Sequence, residues 1–431
     1  MSTFQLVVTG IFGIAAVVAT AVFALANFGG DTRYLVFLEL WGSVDEKVME
    51  GWLEENFSDH PELRVNYKYI PERRFDEELL EAMSLGRGPD MALISQDQVT
   101  RHEKRIVRIP FSHYSERDFR DIFTQAGEVF MDQKEGFIYG LPVLVDPLVM
   151  YWNRTFTRAS GYPRPPVRWG DFADFVTDNV RQERRDIVVS AAGLGEYDNI
   201  EHSKAILSTL IFQAGGKIID GRPENFKVNL SDRFNMPVRP AESALLFYTD
   251  FSDPGRLIYT WNRRMPNSFN VFVDEKMVVY FGMSSDYARI KEANPFLDFD
   301  VALVPENESG LTSSYSNVTG LVIMRSTKNF PAALRAIDHM ASGNSLNMLS
   351  ASLQGIPPSR NDLLVRPDTE RFQLPVFYEA ARRSFSWVDP FPERTDEIFS
   401  EMVVTVVDRD SEVFDAVERA RRQLESSLRD L

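Results

Sequence analysis

The run IYGLPVLVDPLVMYWN (138–153) constrains the fold of this chain more than any other stretch. It is almost entirely uncharged, as a strand buried on both faces must be, yet it carries one carboxylate, Asp146, and a proline, Pro147, in its middle. Proline cannot donate to a sheet ladder, so the sheet has to be interrupted there. The chain is therefore expected to leave one sheet and enter another near Asp146. A carboxylate at such a break faces the space between two packed units, where small ligands tend to bind.

Length and charge narrow the rest. A chain of 431 residues is too long for one ordinary core and suits two lobes of roughly 150 to 200 residues each. Against 47 Lys and Arg stand 63 Asp and Glu, a net charge of −16 that opposes binding to nucleic acid. The absence of cysteine excludes disulfides, a thiolate metal site and lipid attachment through a cysteine. The five histidines, at 60, 102, 113, 202 and 339, do not fall at the i, i+3 or i, i+4 spacing of a helical zinc site, so no metal or other cofactor is expected.

Residues 4–28, FQLVVTGIFGIAAVVATAVFALANF, hold no charged side chain and are long enough to cross a hydrocarbon layer of roughly 30 Å as a helix. The expectation is an uncleaved anchor with the soluble part outside the cytoplasm; the alternative is secretion after cleavage near Ala26. After Gly29-Gly30 strands and helices alternate. YLVFLELW (34–41), LRVNYKYI (63–70) and MALIS (91–95) read as strands, with helices over 43–57 and 74–85 between them. Such alternation predicts a largely parallel sheet with ligands beyond the carboxyl ends of its strands, here Trp41-Gly42-Ser43 and Ser95-Gln96-Asp97. Further along, AAGLGEYDN (191–199) is a turn of small and polar residues, and KMVVYFG (276–282) is a strand running into Met283-Ser284-Ser285. GIPPSR (355–360) reads as a joint between lobes.

In order and spacing, Gly88-Pro89-Asp90, YGLPVLVDPLVMYWN (139–153), YFGMSSD (280–286), SYSNVTGLVIMRSTKNFPAA (314–333) and GIPPSR (355–360) resemble the extracellular solute-binding proteins of family 1, the sugar-binding class that includes maltose-binding protein. The resemblance covers nearly all of residues 34–425. It implies an α/β periplasmic-binding-protein-like fold, two lobes with mixed sheets joined by crossover strands around a cleft, preceded here by the N-terminal transmembrane helix. Residues 1–30 would be anchor and linker, 31–143 with 302–353 lobe 1, and 144–301 with 354–431 lobe 2. It also implies a monomer, neither an enzyme nor dependent on a cofactor, that captures a small solute, expected to be a carbohydrate, by lobe closure and delivers it to the permease subunits of an ABC transporter. An anchored ligand sensor or surface interaction protein without a transport role is the alternative. A glycosidase needs a carboxylate pair, and acidic residues are too abundant here for a pair to be informative.

A sugar cleft requires aromatic faces for stacking and Asp, Asn or Gln to fix hydroxyl directions. Residue type and the resemblance together nominate Trp41, Ser95, Asp97, Asp146, Asn199, Trp261, Ser284 and Asn317 as ligand-binding residues, with Asp146 the leading candidate. Where maltose-type binders place stacking tryptophans, this chain aligns Ile94, Ser284 and Ile398, so an extended maltodextrin platform is not expected.

Overall fold

A computed structural model describes residues 35–184, 186–222, 225–308, 313–365 and 375–429. The apolar segment 4–28 lies outside them; among the described residues no helix is long and apolar enough to cross a membrane.

Nine strands form the main sheet: β1 (Val36–Gly42), β2 (Leu63–Tyr69), β3 (Met91–Ser95), β4 (Gly140–Asn153), β5 (Arg181–Glu183), β6 (Asp186–Ala192), β7 (Met277–Met283), β8 (Phe299–Ala302) and β9 (Ser316–Ile323). Their order is β2-β1-β3-β9-β4-β7-β6-β5, with β8 also on β4. β1 pairs in parallel with β2 and β3, as the alternating pattern requires, and β6 is parallel to β7. The buried strands are apolar runs without alternation: Met91–Ile94 and Met277–Met283 are shielded on both faces.

β4 is where the architecture turns. Its first half pairs antiparallel with β9, up to Ser316 opposite Pro147 and Asn317 opposite Asp146. Its second half pairs with β7, Met283 opposite Leu148, and with β8 from Ala302 opposite Met150 to Phe299 opposite Asn153. Pro147 offers no N–H, and the ladder changes partners there; its carbonyl accepts from Ser284 N at 2.9 Å.

Two hydrophobic cores lie on either side of this point. One includes Leu38 to Val145 and Val318 to Leu349; the other includes Leu148 to Tyr315 and Ile398 to Leu424. Core membership thus switches across Asp146-Pro147 in β4 and again between Tyr315 and Val318 in β9. The C-terminal chain contributes to both: Tyr378, Ala381 and Val388 pack in the first core, Phe377, Ala380 and Trp387 in the second. Helix Pro375–Arg383 therefore lies across the junction. GIPPSR runs beside β4, where Val145 N donates to Pro357 O at 3.0 Å and Ser359 N to Val143 O at 3.0 Å.

Candidate functional site between the lobes

Three helices begin where strands end at the junction. Glu46–Phe57 follows β1 and is capped by Asp45, which accepts from Lys47 N and Val48 N. Gln96–His102 follows β3 and opens with a capping box in which Ser95 and Gln98 satisfy each other's backbone donors. Asp286–Ala293 follows β7. Its cap is remote in sequence: Oδ1 of Asp146, in the crossover strand, accepts from Ser285 N at 2.9 Å and from Ser284 Oγ at 2.6 Å.

The fold thus brings Asp146 and Ser284 together in a structural tie. The Asp146 carboxylate is engaged in tying the first unit's strand to the second unit's turn, and burial pushes its pKa up even though both serines oppose the shift. Ser284 is fully buried. Next to them Asp286 Oδ2 accepts from His202 Nε2 at 2.8 Å, Tyr280 OH at 2.9 Å and Met283 N at 3.1 Å, while Oδ1 accepts from Arg289 Nη1 at 2.6 Å. Gly282 leaves room for this carboxylate, since a Cβ there would stand 2.6 Å from Asp286 Oδ2. Burial opposes charging of both partners, yet the His202–Asp286 bond holds the histidine above its ordinary pKa and the aspartate below its own. Glu201, His202 and Asp286 have ligand-type atoms within 4.8 Å of one another, but Arg289 Nη1, bonded to both carboxylates, supplies the positive charge a cation would bring.

The second constellation gathers around Asp97. Its Oδ1 accepts from Asp389 N at 3.0 Å. Lys204 Nζ, on the second unit's helix Ser203–Gln213, donates to Asp389 Oδ2 at 3.1 Å, Pro392 O at 3.3 Å and Asp396 Oδ2 at 3.5 Å. Tyr197 OH donates to Asp396 Oδ1 at 2.7 Å, and Thr395 Oγ1 to Asp389 Oδ1 at 2.7 Å. Asp389 and Asp396 thus share one ammonium, whose charge Asp97 also feels. Burial, then the Asp389 charge, push the Asp97 carboxyl up to about 7, with Lys204 opposing. Burial would lower the Lys204 pKa, but Asp389, Asp396 and Asp97 hold it above its usual value.

Beside this cluster Gln96 reaches into the junction: Nε2 donates to Tyr315 OH at 3.0 Å and Oε1 accepts from Val318 N at 2.7 Å. Tyr315 OH in turn donates to Asn317 Oδ1 at 2.9 Å, and Asn317 is exposed. Ser95 and Asp97 are half-buried at the same strand end.

Trp261, Asn199 and Trp41 are each engaged within the protein. Trp261 has no exposed surface; it lies in the second core with Nε1 donating to Asn199 Oδ1 at 3.0 Å. Asn199 in turn donates through Nδ2 to Asn262 O and Met265 O, so its side chain pins the loop that carries Trp261. Trp41 is 3 % exposed, and Lys68 Nζ covers its ring 3.8 Å from the centroid. In each case a contact distant in sequence occupies the group that a solute would use. Lys204, Asp389 and Asp396 escaped nomination. A lone lysine opening the otherwise uncharged helix SKAILSTLIFQ was the available signal, since a cation at the head of a buried helix requires buried anions.

The family model for bacterial extracellular solute-binding proteins matches residues 55–371, and the chain belongs to that family. The family is one of extracytoplasmic binding proteins. Binding proteins of Brucella abortus (strain 2308) and Brucella suis biovar 1 are 21 % identical over 340 residues, 76 % of this chain and 76 % of theirs. Among solved structures, a cyclo/maltodextrin-binding protein complexed with maltotetraose superposes with a TM-score of 0.74 at 13 % identity, covering 91 % of this chain and 97 % of that one. The sugar-binding protein of Xanthomonas citri gives 0.73 at 16 % identity over 92 % and 98 %. An ABC transporter solute-binding protein of Thermotoga lettingae TMO, bound with α-D-tagatose, gives 0.66 at 17 % over 91 % and 99 %. At these identities the likeness is one of fold: two α/β lobes joined by crossovers.

Proposed function

We propose that this protein captures a sugar or related polar solute between its lobes and hands it to an ABC-type permease, with residues 1–30 tethering it at the outer face of the cell membrane. The observation that carries the reading is the polar constellation at the strand ends, in which Asp97 of the first lobe accepts from Asp389, Asp389 and Asp396 share Lys204 of the second, and exposed Asn317 borders the group through Tyr315 and Gln96. Solutes bind beyond strand carboxyl ends in such sheets. A solute bridging the two sides would stabilise the closed arrangement by contacts that neither lobe provides alone. The sugar-bound neighbours of the same fold support the solute class. A tether would raise the local concentration of binder at a permease without altering the site.

The aromatic inventory favours a compact solute. Trp41, Tyr151, Trp261 and Trp387 are all buried, and Trp387 donates its N–H to Ser208 Oγ at 3.2 Å. Recognition would then rest on hydrogen bonds that Asp97, Asn317 and Asp396 accept from hydroxyls of a mono- or disaccharide, with little ring stacking. A melting-temperature screen against mono-, di- and maltooligosaccharides tests this. A solute at about 100 times its Kd should add ~2.7 kcal/mol to the wild-type protein, and Asp97→Asn should cut the shift sharply. The absence of a shift with every sugar, or an equal shift in the variant, would sink the proposal.

A further inference from the structure

Away from the strand crossovers, one side chain of the second lobe is planted in the first. The short antiparallel hairpin of Ile219–Asp220 with Lys227–Val228 belongs to the second lobe, with Ile219 and Val228 in its core. From it Arg222 Nη2 donates to Val129 O at 2.6 Å and Met131 O at 2.8 Å, and the guanidinium carbon lies 5.0 Å from the Tyr139 ring centroid. Val129, Met131 and Tyr139 are all in the first core. Phe226 of the same hairpin packs against both cores.

The receiving surface is rigid. Phe130, between the two accepting carbonyls, is fully buried and lies against Gly320 of β9, where even a Cβ would stand 2.5 Å from its ring. Two charge-assisted hydrogen bonds from one nitrogen to the carbonyls of Val129 and Met131, with an aromatic face below, form a contact that a rigid-body rotation of the lobes cannot stretch gradually. The fit is also incomplete, because Arg222 Nη1 is buried and has no hydrogen-bond partner among the described residues. An unsatisfied buried donor lowers the net gain of the contact and leaves it able to open.

We propose that Arg222 is an inter-lobe latch: it holds the lobes in the arrangement seen here, so its removal shifts the ratio of lobe arrangements without touching the strand-end constellation. A contact made in one arrangement and lost in another biases their equilibrium by its own free energy. The latch is separate from the proposed solute contacts, so it is measurable with no solute present.

The absence of native cysteine permits a clean distance measurement. Spin labels on Glu81→Cys and Glu292→Cys, at exposed positions on opposite lobes, report the inter-lobe distance in the solute-free full chain by double electron–electron resonance. With Arg222 present one distance should dominate. Arg222→Met, which keeps an apolar stem, should change the ratio of populations by about tenfold, as expected for losing charge-assisted hydrogen bonds. Arg222→Lys keeps the charge and donors but lacks the planar group over the Tyr139 ring and has a shorter reach, and should give a smaller change in the same direction. Circular dichroism checks that each variant is folded. A lower melting temperature with unmoved distances, in whichever variant folds, would make Arg222 a purely structural residue and overturn the latch.

Discussion

Lys204→Met is expected to destabilise the protein by about 3–5 kcal/mol at pH 8, the usual consequence of removing the cationic partner of a buried carboxylate, here Asp389. The methionine conserves the apolar stem, so the loss reports the ammonium. Without it, Asp389 and Asp396 lose their ion-pair partner and Asp97 loses a nearby charge that offsets that of Asp389. The pH dependence follows from Asp97, whose folded pKa is already raised to about 7. A carboxylate with a raised pKa weakens the fold fully above the folded value, and the penalty fades as pH falls toward the unfolded value of about 3.9. Loss of Lys204 moves Asp97 further up, so the deficit of the variant should shrink between pH 8 and pH 5. Urea unfolding at the two pH values measures this. An equal deficit at both would show that the cluster is not held by charge.

Asp286→Ala should cost a similar amount, about 3–5 kcal/mol, with the opposite pH signature. The substitution strips acceptors from His202, Tyr280, Met283 and Arg289 together, at a carboxylate that is 2 % exposed. Asp286 has a depressed pKa, so its contribution is present above the unfolded value of about 3.9 and is lost as pH falls through the folded one. His202 has a raised pKa, so its contribution is complete below about 6.5 and is lost as pH rises through the folded value. The two overlap between about pH 4 and pH 6.5. The destabilisation should therefore be largest near pH 5 to 6 and smaller at pH 9, the reverse of Lys204→Met. A pH-independent loss would mean that the site contributes packing alone.

These two clusters also mark the limits of what the sequence discloses. The crossover was legible because apolarity on both faces and one proline are local properties, and Asp146-Pro147 does sit where the ladder and the core change. Strand ends were legible for the same reason, which is why Ser95, Asp97, Ser284 and Asn317 all lie at the junction. Side-chain partners were not. Asp97 meets Asp389, and Lys204 meets Asp389, across separations of 292 and 185 residues, and no local pattern encodes either pairing. Trp261 was a candidate by residue type in an aromatic-rich loop, but Asn199, 62 residues away, supplies its hydrogen bond and it lies in the core. Trp41 is covered by Lys68 because the parallel register of β1 and β2 sets the two side by side. Local periodicity specifies elements and their ends; the occupants of the cleft depend on register and on lobe docking.

Hydrogen–deuterium exchange, with and without the best stabilising sugar, tests capture between the lobes most directly. Protection should appear together on both sides of the junction, at 95–98 and 316–318 of the first lobe and at 197–204 and 389–396 facing it. Protection confined to one lobe, or to surfaces away from these segments, would contradict the account.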